Sequence, residues 1–383
     1  MMRALAVLRT PFSLACCLLW ALSSPLAARP IIDLYLPAST PFWDRVERFA
    51  QAAAEDMNVQ LRVFDADRSR RKMLDQFSSS LDSNQPPAGV LFPNYLETAP
   101  ILLRGCEAAA IPCVLFNSGL SEADQDTLGT PGEHYRYWIA QLLPDDYQTT
   151  RALTQLLLQA ARQLFPEQPL LDMVALTGYG ADAPSRVRIQ AVLDELAGQP
   201  DINMAQIFFT DWSREDAATR TSGMLPRYPN VRAIWSSNYR TTEGILDGLA
   251  KEGKRPGRDV VVNSFDIDPP SLAGIADGTL AATAGGHYAE GAWAVILMAD
   301  HLTGHALPAH QRVINTSQLI VTPDNVHQVR RVLEYLEQAP QCLNKIDFSL
   351  FSRPQGDYDF RLQPVLEMIE QRMNDVMSES RDG

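Results

Sequence analysis

The stretch "IIDLYLPASTPFWDRVERFAQAAAEDMNVQLRVFDAD", residues 31–67, decides the fold. It opens as an alternating apolar strand and hands over near Pro41 to a helix whose apolar residues Val46, Phe49 and Ala53 recur three and four apart. It then returns to a strand in "VQLRVFDAD". Strand, helix and strand in this order form the building unit of a parallel sheet. Phe42 and Trp43, at the strand-to-helix junction, are surplus to the packing face of that helix. They either brace the loop or present a stacking surface to something arriving from solvent.

Working outward, the rhythm continues through a helix "RKMLDQFSSSL", the short apolar run "AGVLFPN", a helix to Ala110 and "IPCVLFNSG". After "PDDYQTTRALTQLLLQAAR" it restarts with "LLDMVALTGYG", "SRVRIQAVLDELAG", "MAQIFFTDW", a helix to Leu225, "NVRAIWSSN", "TEGILDGLAKEG", "DVVVNSFD" and "LAATAGG". Continuous apolar runs alternating with amphipathic helices predict an α/β protein with helices on both faces of parallel sheets. The restart predicts two doubly wound lobes in tandem.

The first segment has Arg3 and Arg9, an apolar stretch from Phe12 to Leu22 and small residues up to Ala28. That layout predicts a signal peptide over residues 1–28 and a periplasmic, exported mature chain. A lipid-attachment start at Cys16 or Cys17 is the weaker reading, because Ser13 precedes "LAC" and the apolar run continues past the cysteines. Loss of Arg3 and Arg9 takes the net charge of −13 to about −15, which repels nucleic acid and anionic lipid headgroups. The expected partner is a small molecule or a protein. Cys106 and Cys113 either close a short loop in an oxidising compartment or are small buried residues.

Ligands of open parallel sheets bind beyond the carboxyl ends of the strands. In this chain those positions carry Phe42 and Trp43, Pro93 and Asn94, Asn117 and Ser118, Asp211 and Trp212, Asn238, Phe265 and Asp266, and Gly286 and His287. The set is rich in amides, carboxylates and aromatics and lacks the nucleophile, base and orienting group of a hydrolase. The expectation is a binding protein, not an enzyme, with no cofactor and no metal. "GYGADA" at 178–183 has the look of a dinucleotide turn, but a glycine pair after a strand is what any tight strand-to-helix turn requires. His301, His305 and His310 are separated by Gly304 and Pro308, which break the helix that would align them.

With these residues in place, the chain over 31–322 resembles the periplasmic sugar-binding proteins of ribose-binding type, substrate-binding proteins of ABC transporters that share their core with lactose-repressor-type regulators. The resemblance rests on "TPFW" after the first strand, "NS" after the fourth, "SRVRIQAV" opening the second lobe, and above all "NVRAIWSSNYRTTEGILDGLAKEGKRPGRDVVVNSFD" at 230–266. It implies a type I periplasmic-binding fold whose lobes are joined by a three-strand hinge near Asp145-Asp146, Gly286-His287 and Thr322-Pro323. The lobes would comprise 29–146 with 288–322 and 147–287 with 323–348, and 349–383 would be an extension, either a docking element or a strap around one lobe.

The implied ligand contacts are Phe42, Trp43, Asn94, Asn117, Arg188, Trp212, Asn238, Phe265, Asp266 and His287. Flat aromatics suit the C–H faces of a sugar, and planar bidentate groups suit its hydroxyls. Asn117-Ser118 stands where ribose binders carry Asp-Arg, and "GGHY" where they carry a glutamine, which argues against ribose itself. The resemblance implies a monomer that hands a sugar or sugar-like ligand to an ABC permease. The alternative, suggested by a likeness to a furanosyl-borate autoinducer receptor, is a sensory subunit for a membrane kinase, cyclase or chemoreceptor.

Overall fold

The computed structural model describes residues 28–353 and 356–379, so the expected signal peptide lies, but for Ala28, outside the described residues. The first half runs β1 (Ile31–Leu36), α1 (Pro41–Asp56), β2 (Gln60–Asp65), α2 (Arg70–Leu81), β3 (Gly89–Phe92), α3 (Ala99–Ala109), β4 (Cys113–Phe116), α4 (Glu122–Leu128) and β5 (Trp138–Pro144). There follow α5 (Asp146–Leu164), β6 (Leu171–Thr177), α6 (Ala183–Leu196), β7 (Ile202–Phe209), α7 (Arg214–Met224), β8 (Val231–Ser236), α8 (Tyr239–Lys251), β9 (Val261–Val262), α9 (Pro269–Ala276) and β10 (Thr283–Gly285). The chain then adds α10 (Glu290–Leu302), β11 (Val313–Thr316), β12 (Leu319–Val321), α11 (Val326–Gln338) and α12 (Leu362–Glu379).

Two parallel sheets result. The first has the order β11-β5-β4-β3-β1-β2 and the second β7-β6-β8-β9, extended where Ser264 and Asp266 donate to the carbonyls of Ala282 and Ala284 beside β10. The fold class is that expected: doubly wound α/β lobes with helices on both faces. In the first lobe Val46, Phe49 and Ala53 of α1 pack on one face with α10, and Met73, Phe77, Leu102 and Cys106 pack on the other. Cys106 and Cys113 are buried free thiols in that second layer. In the second lobe Leu153, Leu157 and Ile189 cover one face, and Ala217, Ile245 and Leu249 the other.

In each sheet the direction of winding reverses at a definite place. β1 pairs with both β2 and β3, and β6 with both β7 and β8. The crevice beyond the strand ends at such a switch point is where an open α/β sheet takes a ligand. The chain passes between lobes after Pro144, after Gly285 and between Thr316 and Leu319, because β11 pairs with β5 while β12 pairs antiparallel with β10. The third passage thus lies at Ser317-Gln318, a few residues ahead of the expected Thr322-Pro323.

The segment after β12 touches both lobes. α11 packs on α9 of the second lobe, whereas the turns Pro340–Lys345 and Phe348–Phe351 pack on α1, and the latter also on α10, of the first. Trp293 of α10 stacks on Phe360 at 5.0 Å and lies 4.7 Å from Phe351. Two hinge passages are reached as well. Arg361 bridges to Ser317, and Leu362 lies against Gly286, whose φ of 100° and lack of a side chain admit it.

Candidate functional site

Thr40 caps α1 by accepting from the Trp43 amide, and Pro41 starts the helix, so Phe42 and Trp43 are presented in its first turn. Phe42 lies 4.7 Å from the His287 ring across the hinge, and 5.0 Å from Trp43, which in turn meets Phe116 edge-on at 6.5 Å. Both aromatics are half-buried and pack against the core of the first lobe.

Three of the expected residues have left-handed backbones: Asn117 (φ 65°), Trp212 (φ 65°) and Asp266 (φ 77°). Such conformations cost about 1–3 kcal/mol each and persist where the surroundings enforce them, most often at functional sites. All three lie in the turns that leave strand ends.

At the hinge end of the cleft a buried polar cluster forms around Arg188. Its Nη2 donates to Asp146 Oδ1 at 2.9 Å, its Nη1 to the Ser237 carbonyl at 2.6 Å, and its guanidinium carbon lies 3.8 Å from the Phe265 ring centre. Gln318 Nε2 donates to the same Asp146 oxygen at 2.8 Å. Asp266 accepts from the Tyr239 amide, and its Oδ1 lies 3.7 Å from His287 Nε2. Burial and the neighbouring Arg188 charge push His287 down to about 3, so its imidazole is neutral. Burial pushes Asp266 up to about 6 against the pull of Arg188. The three passages between lobes each contribute one member: Asp146, His287 and Gln318.

On the first lobe Asn117 Nδ2 donates to Glu290 Oε2 at 3.3 Å, and Thr316 Oγ1 donates to Oε1 of the same carboxyl at 2.5 Å. Glu290 is fully buried, and burial raises its pKa well above the usual carboxyl range against the hydrogen bonds from Thr316 and Asn117, which lower it. On the second lobe Trp212 Nε1 donates to Asp182 Oδ2 at 2.7 Å.

Phe42, Arg188, Phe265, Asp266 and His287 are therefore brought together, Trp43 and Asn117 flank them, and Trp212 is held at a second point of the second lobe, beside Asp182 and Gly178. Asn94 uses its amide on the Gly119 carbonyl and the Ala99 amide, bracing its loop. Asn238 caps α8 by accepting from the Thr241 amide at 2.7 Å. Sequence reasoning missed Asp146, Glu290 and Gln318. Asp146 sat in view beside the first passage. Glu290 and Gln318 carry only the weak signal of an isolated polar residue in an apolar setting, "EGAWAVILM" and "SQLIV".

Among the described residues no helix is long and apolar enough to cross a membrane, and no group of three or more His, Cys, Asp or Glu is placed to hold a metal. Comparison with known proteins gives consistent relatives. A D-apiose import binding protein of Actinobacillus succinogenes is 23% identical over 237 residues, covering 62% of this chain and 69% of that protein. A periplasmic sugar-binding protein from Pseudomonas fluorescens superposes with a TM-score of 0.75 at 24% identity, over 88% of this chain and 99% of the other. The arabinose-transporter binding protein from Shewanella sp. ANA-3, solved with α- and β-L-arabinofuranose, gives 0.68 at 18% identity over 82% and 98%. The family model described as periplasmic binding protein domain matches residues 34–306, most of both lobes, and the chain belongs to that family.

Proposed function

We propose that the protein is an exported receptor that captures an uncharged sugar in the cleft between its lobes and delivers it to an ABC importer. The observation that carries this reading is a group of buried side-chain atoms without partners on the residues around the cleft: Arg188 Nε, Ser237 Oγ, Tyr239 OH, His287 Nδ1 and Gln318 Oε1. Buried polar atoms are rarely left unpaired, and free donors and acceptors on the residues that surround Phe265 and His287 suit a ring of hydroxyls. The charge pattern disfavours an anionic ligand, because Asp146 balances Arg188, His287 is uncharged, and Asp266, raised only to about 6, keeps negative charge at neutral pH. The relatives reported are solute-binding and import proteins, and the sensory alternative gains no support from them.

Isothermal titration of the full chain with L-arabinose, D-allose and D-apiose tests the proposal. Binding of at least one with a dissociation constant below about 1 mM is expected. Failure of all three, together with no sugar in the mass spectrum of the native, co-purified material, would sink it.

A further inference from the structure

We infer that Gly178 and Asp182 are positioning residues that fix the plane of Trp212 and so determine which sugar ring the cleft accepts, an inference that rests on the sugar-binding reading above. The indole is held in three ways. Its backbone is left-handed, a conformation that a bulky residue adopts only when its surroundings impose it. Its Nε1 donates to Asp182 Oδ2 at 2.7 Å, and its own amide is held by Thr210 Oγ1 at 3.2 Å. Gly178 supplies the third constraint. A Cβ there would stand 1.7 Å from Trp212 Cε2 and 2.1 Å from Cδ2, so only bare backbone admits the ring in this place.

Asp182 gives independent support. It occupies the N-cap position of α6 with the extended backbone of a cap (φ −72°, ψ 134°), yet its side chain makes no cap hydrogen bond. Ser213 and Asn238 do cap α7 and α8 of the same lobe. Asp182 thus leaves the helix donors to others and spends its carboxylate on the indole N–H. A polar residue that forgoes its local role for one aromatic ring marks a ring whose placement matters.

The consequence for recognition is geometric. Stacking of a sugar C–H face on an indole depends on close contact and is lost over a small gap. A wall that cannot retreat also excludes rings with an axial substituent on that face, which is discrimination by clash.

The test compares Gly178→Ala, Asp182→Asn and Asp182→Leu in the full chain, each with and without Trp212→Phe, so that the difference spectrum reports Trp212 emission alone. Affinities for L-arabinose and D-allose are measured beside it. Gly178→Ala and Asp182→Leu should shift Trp212 emission, weaken binding by about 3- to 10-fold, and change the ratio of the two affinities. Asp182→Asn, whose amide oxygen still accepts, should retain both emission and ratio. Unchanged emission in Gly178→Ala, a thermal destabilisation with the affinity ratio intact, or Asp182→Asn behaving like Asp182→Leu would each overturn the inference. Should the wild type bind neither of these, nor D-apiose, nor carry any co-purified sugar, the sugar-binding reading fails, while the emission difference still decides whether these residues place the indole.

Discussion

Arg188 is held by both Phe265 and Asp146: its guanidinium carbon lies over the ring, 3.8 Å from the centre, while Nη2 donates to the carboxylate at 2.9 Å. One side chain on α6 therefore ties the strand end before Asp266 to the first passage between lobes. Both partners of the ion pair are at least nine-tenths buried.

Arg188→Ala should cost folding as well as binding. Removing one partner of a buried pair leaves the Asp146 charge without a counter-charge, with only Gln318 still donating to it, a loss of about 3–5 kcal/mol. Urea denaturation checks this, and Asp146→Asn added to Arg188→Ala should recover part of the loss. Equal stabilities of the single and double variants would show that the carboxylate is not stranded.

Asp268 offers a test of sign. It caps α9, and burial pushes it from 3.8 up to about 7, with Asp266 at about 6 beside it. A carboxyl whose folded pKa lies above its unfolded one holds its proton better when folded. The stability it contributes is therefore complete below about pH 4 and is lost as pH rises through 7. Asp268→Asn keeps the cap acceptor and removes the titration. Its stability relative to wild type should therefore rise between pH 4 and pH 7 by up to about 4 kcal/mol. A flat difference across that range would mean that the carboxyl is solvated. The neighbouring Asp266 predicts weaker sugar binding below about pH 6 by calorimetry, because the protonated carboxyl loses acceptor capacity.

Glu290 should tolerate loss of its acid but not of its polarity. Glu290→Gln keeps the shape of the group, with its carbonyl still accepting from Asn117 and the Thr316 hydroxyl turning to accept from its amide, and should change stability by less than about 1 kcal/mol. Glu290→Ala strands both partners and should cost about 1–3 kcal/mol, before any cavity cost. If the glutamine variant proved as unstable as the alanine one in thermal melts, the carboxyl would have to be ionised.

The cleft should narrow when occupied. Phe42, Trp43 and Asn117 belong to the first lobe, and Arg188, Trp212 and Asp266 to the second, with three short passages between them. A ligand that satisfies both groups binds the closed arrangement better and shifts the population toward it. Small-angle scattering should give a smaller radius of gyration with bound sugar than without, and an unchanged curve at saturation would rule out closure.

How much of this was legible in the sequence depends on which physical signal each feature carries. The lobes and the strand-end residues Phe42, Asn117 and Asp266 followed from apolar runs punctuated by turn residues, because parallel strands are buried on both faces. The third passage was placed by the resemblance, not by these runs, and the strand pairing puts it a few residues earlier. Thr322-Pro323 carries proline punctuation, whereas the true break at Ser317-Gln318 has none and separates two runs that read as one strand. Arg188 was singled out only through the resemblance, and its partner not at all, since Asp146 is brought to it by the packing of α5 on α6. Asn94 and Asn238 sit where the strand-end rule puts them, yet their amides are engaged in local backbone bonds, and residue type alone cannot separate a cap from a contact.

The segment that spans both lobes also bears on the order in which the molecule can be completed. The Phe348 amide donates to Asp56 at the end of α1 at 2.7 Å, across a separation of 292 residues, and the aromatic lining of Trp293 comes from Phe348, Phe351 and Phe360. A chain that emerges from its N-terminal side forward exposes one flank of α1 and α10 until those later residues arrive. Closing so long a loop is also slow, because its entropy is lost before the contacts form. The first lobe to be synthesised is therefore among the last parts to be finished, and a chain cut short before Phe348 would carry an open apolar seam along α1 and α10.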